Sequence, residues 1–237
     1  MTNSSVTAIF NRFICNTTIS VSSLALSLQA VNSSTSTHPF INEQGRRILY
    51  NDGNKKAAQL FYLFAGQLDS GVVWIDKGLK SACHHYNPNT GSGFWLCPNA
   101  ADKCTDLFSK AIKLWRREKH ALAIFFLGAA VHLVQDVCVP HHASCKIFNG
   151  HLDFELWVEK RKSNYQIVSD GTYEISDKPA EWIAENARLA KRYCHLVENN
   201  LPGDYHQAVE VLLPRAQRTT AGFFMHFYNT IYNGKGD

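Results

Sequence analysis

The segment ALAIFFLGAAVHLVQDV, residues 121–137, constrains the fold of this 237-residue chain more than any other segment. It is apolar on nearly every side, and a helix of that kind is buried by neighbouring elements on most of its surface. Pro140 follows closely, at a point where a helix has to stop or bend. The segment therefore predicts a central helix around which the rest of the chain packs.

Helical signals continue over most of the chain from His38 onward. The predicted helices are a short one that Asp52-Gly53 closes, one from Asn54 to Gly66, an amphipathic one over 102–116, one from His151, one that begins at Pro179, and a last one kinked or broken at Pro214. Residues 71–99 predict a loop-rich stretch, and YQIVSDGTYEI predicts a β-hairpin. With no internal repeat and no second apolar core, the pattern predicts a single all-α, compact multi-helix domain over residues 36–232.

Residues 1–35 differ from the rest, because they are rich in Ser, Thr and Asn and carry almost no charge. Their apolar stretch, Ile19 to Leu28, is too short to cross a bilayer. One interpretation is a signal peptide with Arg12 as its basic residue and cleavage near Ala30, which implies a secreted protein. The other is a disordered leader, which leaves a cytoplasmic location open. No other segment approaches eighteen apolar residues, so no membrane anchor is expected.

Charge and cysteine content narrow the function classes. The formal charge of +4 allows attraction to anionic phosphates or lipid head groups without requiring nucleic acid. The seven cysteines show no Cys-x-x-Cys spacing, which argues against a zinc ribbon or a thioredoxin motif. Cys97 and Cys104 are candidates for a bridge, and Cys138 and Cys145 for packing or a bridge, so the pairing stays open.

Two polar side chains stand inside the predicted central helix. His132 and Asp136 are four residues apart and therefore project from one face. An unpaired carboxylate in that setting would cost several kcal/mol, so Asp136 needs a cation or a set of hydrogen-bond donors. Taken alone, the pair is typical of a hydrogen-bonded core contact rather than of a metal site.

The downstream sequence favours the metal site. Pro140 ends the helix and lets His142 fold back toward the same place, and a second His/carboxylate pair follows. The complete order is His132-x3-Asp136-x5-His142-x8-His151-x3-Glu155. Helical proteins build metal centres from inward-facing pairs of this kind, and nitrogen and oxygen ligands suit Zn²⁺.

VHLVQDVCVPHH resembles the signature of the zinc-dependent phospholipase C family, which includes the bacterial phosphatidylcholine-cleaving enzymes and the catalytic domain of clostridial alpha-toxin. The signature His-x-x-x-Asp-x-x-x-Pro-x-His is filled by His132, Asp136, Pro140 and His142. The family's next pair, His-x-x-x-Glu, corresponds to His151 and Glu155. The related S1/P1-type nucleases share the fold but usually end in His-x-x-x-Asp, so Glu155 favours the phospholipase branch.

The resemblance extends upstream of the central helix. ACHHYNPNTG resembles a segment that places a zinc-binding histidine at His84, whereas His85 is interpreted as a loop histidine. GVVWIDKG resembles the stretch that ends in a ligand aspartate, here Asp76. Asp69 is the alternative, because the interval from Asp76 to His84 is shorter than in the bacterial enzymes. THPFINEQGRRIL resembles the family's first helix and places a ligand at His38.

The sequence also departs from the family pattern. Secreted members begin with a tryptophan that binds one zinc, but the first tryptophan here is Trp74. The third zinc site, with His38 as its ligand, is therefore left open. Leu133 stands where the family has an aromatic residue and Gln135 where it has a small one, which indicates a distant member.

The resemblance implies two or three Zn²⁺ ions in one cleft. The first site would comprise Asp76, His84, His132 and Asp136; the second would comprise His142, His151 and Glu155; Asp136 would bridge the first to a third at His38. The family also implies Asp76 as the catalytic general base.

The expected function is zinc-dependent phosphodiester hydrolysis, with phospholipase C-type cleavage of phospholipids to diacylglycerol and a phosphorylated head group. The expected partners are phospholipid or another phosphodiester and, transiently, a membrane surface; no nucleic acid is expected, and the protein is expected to be a monomer. The alternatives are an S1/P1-like single-strand nuclease, another phosphodiesterase, or a catalytically inactive metal-binding protein. Glu155 and the small positive charge disfavour the nuclease. The ligand motif does not specify the head group.

Overall fold

The structure is a computed structural model that describes residues 36–94, 97–146, 150–198 and 201–233. The predicted leader, residues 1–35, lies outside the described residues, and so does its proposed signal-peptide cleavage site. Within the described part of the chain, no helix combines the length and the apolar character needed to span a membrane.

The described elements are helices joined by turns and loops. They are α1 Thr37–Asn51, α2 Lys55–Leu63, α3 Ala65–Ile75, a 3₁₀ helix Gly78–Cys83, α4 Ala100–Trp115, α5 His120–Asp136, α6 Pro140–Ser144, α7 His151–Glu159, a 3₁₀ helix Lys162–Tyr165, α8 Pro179–Lys191, α9 Cys194–Val197 and α10 Pro202–Asn233. No strand occurs among the described residues, where β-type pairing is limited to a bridge between Asn87 and Ser92. The all-α prediction is confirmed.

Local sequence explains where several helices begin. Asn99 caps α4, because its side-chain oxygen accepts a hydrogen bond from the backbone N–H of Asp102 at 2.8 Å. Pro140 and Pro179 occupy the first positions of α6 and α8, where the missing N–H is not needed. Both prolines therefore act as helix starts, as the sequence predicts for Pro179.

Helix α5 is the centre of the fold. Its C-terminal half, from Leu127 to Asp136, is continuously buried. It packs most extensively on α3 and α4. A Cβ on Gly128 would lie 2.1 Å from the Leu68 carbonyl oxygen, and one on Gly71 would lie 2.0 Å from the Phe125 carbonyl oxygen. The glycines therefore let α3 and α5 approach backbone to backbone, and they run antiparallel, since the earlier residue of α3 meets the later residue of α5.

The predicted hairpin around Asp170-Gly171 is wrong. The turn exists, and Asp170 has a left-handed φ of 69°, but the flanking residues do not pair with each other. The backbone N–H groups of Asp170 and Gly171 and the Tyr173 hydroxyl instead donate to the Asp52 carboxylate at the end of α1. The Thr172 N–H donates to the Arg218 carbonyl of α10. Tertiary acceptors replace the strand partner that a hairpin would require.

Three helix boundaries also differ from the predictions. The helix expected from Asn54 to Gly66 is divided at Phe64, and the stretch expected to be loop-rich from residue 71 begins inside α3. Helix α10 continues through Pro214, so of the predicted kink or break the break is wrong. The helix is held on both sides of the proline by buried side chains, namely Leu212, Leu213 and Ala216.

The possible bridge between Cys97 and Cys104 is not formed, because Cys104 is a free, buried thiol. Burial raises the pKa of the Cys104 thiol above its ordinary value. Cys138 is also a free, buried thiol that contacts the Val134 carbonyl, and burial raises its pKa to about 12. Of the two predicted roles for Cys138, the structure shows packing.

Candidate metal centre

The eight predicted ligand side chains converge from both halves of the chain. His132 and Asp136 lie on the last turn of α5, and Pro140 starts α6 so that His142 points back toward them. The remaining contributors are His38 on α1, Asp76 at the end of α3, His84 after the first 3₁₀ helix, and His151 and Glu155 on α7. The central helix thus supplies two groups, and the segments around it supply the others.

Asp136 lies at the middle of the cluster. Its Oδ2 is 2.7 Å from His84 Nδ1, 3.0 Å from His132 Nε2 and 3.9 Å from His142 Nε2. Its Oδ1 is 3.2 Å from His38 Nε2. The carboxylate is buried, so the four imidazoles replace the water that would otherwise solvate it.

The second His/carboxylate pair forms a compact group with His142. The Nε2 atoms of His142 and His151 are 3.0 Å apart. Glu155 Oε1 is 2.8 Å from His151 Nε2 and 3.6 Å from His142 Nε2. This group meets the Asp136 cluster at His142, which faces both carboxylates.

Three sets of potential ligand atoms each lie within 4.8 Å of one another: His38, His132 and Asp136; Asp76, His84 and His132; His142, His151 and Glu155. Together they contain all eight predicted residues. Asp76 Oδ1 is 3.9 Å from His132 Nε2, and the Asp76 side chain is 38% exposed. Asp69 belongs to none of these sets and instead accepts a hydrogen bond from Asn42 at 2.8 Å.

Two further histidines are buried beside the centre but belong to none of the three sets. His85 stacks on the His142 ring at 4.7 Å, and the His141 ring lies 5.1 Å from that of His151. Burial, together with the neighbouring histidines His142, His84 and His151, lowers the pKa of His85 well below its ordinary value. His85 is therefore a neutral ring that packs against the centre.

The electrostatics of the centre favour the deprotonated forms of His132, Asp136 and Glu155. Burial lowers the pKa of His132 to about 4, although Asp136 acts in the opposite direction. Burial opposes ionisation of Asp136, but His132 and His142 outweigh it and hold its pKa well below the ordinary value. Glu155 behaves in the same way, since His151 and His142 lower its pKa against the effect of burial. A metal ion needs ligands in these neutral-imidazole and carboxylate forms.

His38 and His151 carry the opposite shift in the metal-free centre. Burial disfavours the imidazolium of His38, but its hydrogen bond and charge interaction with Asp136 raise its pKa to about 9. Burial likewise disfavours the charged form of His151. The charge interaction and hydrogen bond with Glu155 outweigh the effect of burial and raise the His151 pKa. Protons on these two rings therefore offset the negative charge of the carboxylates.

The spacing of the donor atoms fits zinc. Ligand atoms about 2.0–2.1 Å from a tetrahedral Zn²⁺ lie roughly 3.3 Å from one another. The facing imidazole nitrogens of His132 and His84 are 3.2 Å apart, and those of His142 and His151 are 3.0 Å apart. No cysteine contributes to the three sets found among the described residues, and an all-nitrogen and oxygen donor set is typical of catalytic zinc. The residues present therefore fit the metal that the sequence predicts.

Gln135, which departs from the family pattern in the sequence, also contacts the centre, and the ligand motif does not predict this contact. Gln135 Oε1 lies 2.8 Å from His38 Nδ1, on the side of the ring opposite Asp136. The available signal was a long amide at a buried position of an otherwise apolar helix, because a buried amide requires hydrogen-bond partners.

Comparison with known proteins identifies the family. The family model described as zinc dependent phospholipase C matches residues 37–202. The chain is 27% identical over 239 residues to a phospholipase C of Paraclostridium bifermentans, covering 84% of this chain and 60% of that protein. It is also 27% identical over 240 residues to a phospholipase C of Clostridium perfringens, with the same coverage. The chain thus spans about 60% of the length of these curated relatives.

The fold is that of a solved toxin structure. The alpha-toxin of an avian strain of Clostridium perfringens superposes with a TM-score of 0.72 at 23% identity, covering 84% of this chain and 65% of that one. The family implies Zn²⁺ as the cofactor, in agreement with the donor set described above. The family match over most of the chain leads to one conclusion: this protein belongs to the zinc-dependent phospholipase C family.

Proposed function

We propose that this protein is a zinc-dependent phosphodiester hydrolase that cleaves phospholipids in the phospholipase C manner. The products would be diacylglycerol and a phosphorylated head group. The observation that carries the proposal is the set of three adjoining groups of nitrogen and oxygen donors around Asp136 and His142. The relatives named phospholipase C support the same activity, and the matches lend no support to the nuclease or to an inactive metal-binding protein.

An apolar cavity beside the centre supports a lipid substrate. It has a volume of about 60 Å³ and reaches from His38 and Glu155 into the interior. Its apolar walls come from α7 and α10, among them Phe154, Val158 and Leu212. The space accommodates a small apolar group next to the metal ligands, which suits the glycerol side of a phospholipid better than a sugar-phosphate backbone.

The eight side chains named above are the proposed ligands. When bound, Zn²⁺ supplies Lewis acidity: it polarises phosphoryl oxygens, offsets charge developing on phosphorus and lowers the pKa of water. The role of the chain is to hold the donors in place. Asp136 and Glu155 stay ionised in the buried centre, and His132 stays neutral, so these three residues present lone pairs without prior loss of a proton.

Asp76 is the proposed general base. Its carboxylate is more exposed than the other acidic groups of the centre, and it lies beside His132 at the end of α3. In the proposed step, Asp76 takes a proton from water while the water oxygen forms a bond to phosphorus. The bond between phosphorus and the glycerol oxygen breaks, and the departing oxygen takes a proton from solvent.

Further inferences concern the location of the protein, its contact with membranes and its oligomeric state. We infer that it is secreted, that it contacts membrane surfaces transiently and that it acts as a monomer. N-terminal sequencing of the exported protein tests the predicted cleavage near Ala30. Co-sedimentation with vesicles and light scattering test the other two inferences.

The decisive experiment combines metal analysis with three substrates: phosphatidylcholine vesicles, a soluble phosphodiester and single-stranded DNA. We expect zinc to co-purify with the protein and phosphatidylcholine to be cleaved. His132→Ala and Asp136→Ala should lower the zinc content and abolish hydrolysis. The matched controls His195→Ala and Asp106→Ala change exposed residues outside the centre and should retain both. Full zinc content in Asp136→Ala would contradict the assigned centre, and turnover of DNA alone would contradict the assigned substrate.

A further inference from the structure

We propose that Gln135 is a positioning residue for His38, and that Asn42 and Asp69 determine which way the Gln135 amide points. These three residues are called the hydrogen-bond relay. The relay would fix the ring nitrogen that His38 presents to Asp136. The inference rests on the proposed function only where it treats His38 as a zinc ligand.

The relay is a continuous series of hydrogen bonds from the centre to α3. Gln135 Oε1 lies 2.8 Å from His38 Nδ1. Gln135 Nε2 donates to Asn42 Oδ1 at 2.9 Å and to the Thr220 hydroxyl at 3.1 Å. Asn42 Nδ2 in turn donates to Asp69 Oδ1 at 2.8 Å. Gln135, Asn42 and Thr220 are all buried, so these groups depend on one another rather than on water.

The far end of the relay sets its direction. An isolated amide can rotate so that its oxygen and nitrogen exchange places, but a carboxylate only accepts. Asp69 therefore requires the NH₂ group of Asn42, which turns the Asn42 oxygen toward Gln135. Gln135 must then present its own NH₂ group to Asn42 and its oxygen to His38.

The orientation of the Gln135 amide determines which nitrogen of His38 carries the proton. An amide oxygen cannot donate, so the hydrogen bond requires a proton on His38 Nδ1. When the ring is neutral, as a metal ligand has to be, its lone pair is then on Nε2, the atom that lies 3.2 Å from Asp136 Oδ1. Metal-ligating histidines are commonly oriented by such a bond on the other ring nitrogen, and its loss weakens metal binding about 10- to 100-fold.

Arg46 stabilises the anchor of the relay. Its Nη1 lies 3.6 Å from Asp69 Oδ1, and its guanidinium is almost fully buried. The guanidinium remains charged and lies beside the same Asp69 oxygen that accepts from Asn42. Asp69 is itself partly exposed, with 31% of its side chain accessible, so a substitution there should be tolerated by the fold.

The test compares two buried glutamines. Gln135→Met keeps the length of the side chain but removes the acceptor for His38. Gln217→Met is the matched control, because Gln217 is equally buried and its amide bonds only to backbone groups of α10 and of residues 165–167. Both variants lose buried hydrogen bonds, but only one loses the contact with His38. Asp69→Asn removes the acceptor-only end of the relay without touching Gln135.

The readouts are the His38 ring protons in ¹⁵N-histidine NMR spectra, assigned with His38→Asn, and zinc affinity measured by chelator competition. We expect Gln135→Met to lose the exchange-protected Nδ1–H of His38 and to bind one zinc ion about 10- to 100-fold more weakly. Asp69→Asn should change both readouts in the same direction by a smaller factor, and Gln217→Met should leave both unchanged.

Other outcomes overturn the inference. Unchanged His38 protons and zinc affinity in Gln135→Met would refute the positioning role, and an equal loss in Gln217→Met would show a general effect of destabilisation instead. Unchanged readouts in Asp69→Asn would refute the anchor. If the wild-type protein bound no zinc, the proposed function would fail, whereas the ring protons of the metal-free protein would still decide the role of Gln135.

Discussion

The contact between α3 and α5 makes Gly128→Ala a sharp test of how the fold supports the metal centre. The added Cβ would lie 2.1 Å from the Leu68 carbonyl oxygen, whereas real Cβ contacts essentially never fall below 3.0 Å. The obstacle is backbone, which cannot rotate away as a flexible side chain can. The two helices would therefore have to separate by about 0.9 Å at this point.

The expected loss of stability follows from two opposing effects. Overpacking of a well-packed contact costs about 1–3 kcal/mol, and the backbone obstacle places this variant in the upper part of that range. Alanine recovers about 0.5–1 kcal/mol through its better helix propensity. The net loss is about 1–2 kcal/mol, which corresponds to a Tm lower by about 2–8 °C for a domain of this size.

Separation of α3 and α5 should also change the geometry of the metal centre. Asp76 ends α3, and His132 lies one turn beyond Gly128 on α5, so a separation of the helices acts on the 3.9 Å distance between these two side chains. We expect lower zinc occupancy in Gly128→Ala as well as lower stability. Urea unfolding of the chelator-treated protein measures the loss of stability without any contribution from zinc. Metal analysis of the untreated protein measures zinc occupancy.

Gly66→Ala is the matched control, because it lies on α3 and an added Cβ there would meet no atom within 4 Å. It should stabilise the protein by about 0.5–1 kcal/mol and leave zinc content unchanged. The reasoning would be refuted if Gly128→Ala unfolded at the same urea concentration as the wild type, or if both alanine variants shifted the midpoint equally.

Three further results are expected. Partial burial raises the pKa of Glu159, but hydrogen bonds from Lys162 and from the start of α1 outweigh it and lower the pKa to about 2. The stability contributed by Glu159 is therefore complete above its ordinary pKa of 4.5 and is lost as pH falls toward about 2. Glu159→Gln should flatten the acid side of a plot of urea midpoint against pH. Parallel curves for the variant and the wild type would contradict this. Asp52→Ala removes the acceptor for residues 170–171 and Tyr173 and should cost about 1–3 kcal/mol in thermal unfolding, with faster proteolysis of that loop. Chelation should lower the Tm, and Zn²⁺ but not Mg²⁺ should restore it, because binding to the folded state contributes about 4 kcal/mol at a ligand concentration 1,000 times Kd.

The central helix and the cluster around it were accessible from sequence because the decisive information is local. A segment that is apolar on all sides specifies its own burial, and an i,i+4 spacing specifies a shared helical face. His132 with Asp136 and His151 with Glu155 are such pairs, and Pro140 marks the turn between them. The structure brings these residues together as the spacing predicts.

Features that depend on distant partners could not be obtained in this way. The Asp170-Gly171 turn was identified, but Asp52, which accepts its N–H groups, lies 118 and 119 residues away in the sequence. The predicted loop-rich stretch begins at Gly71, and its turn residues lie further along the chain. Gly71 instead lies inside α3, where the absence of a side chain allows the backbone of α5 to approach closely. This contact depends on the position of α5, which the local sequence around Gly71 does not specify.

The choice between Asp69 and Asp76 shows the same limit within the site itself. The two residues are seven apart along α3 and its C-terminal cap, so they share a helical face about 10 Å apart along the axis, and periodicity treats them alike. The residues around them distinguish the two aspartates. Asp76 lies beside His132, whereas Asp69 contacts Asn42 and Arg46. If the relay acts as proposed, both aspartates support zinc binding by histidines. Asp76 faces His132 directly, whereas Asp69 orients His38 through the amides of Asn42 and Gln135. A substitution of either aspartate would then weaken zinc binding, and the ring protons of His38 would tell the two apart, because only the loss of Asp69 changes the direction of the relay.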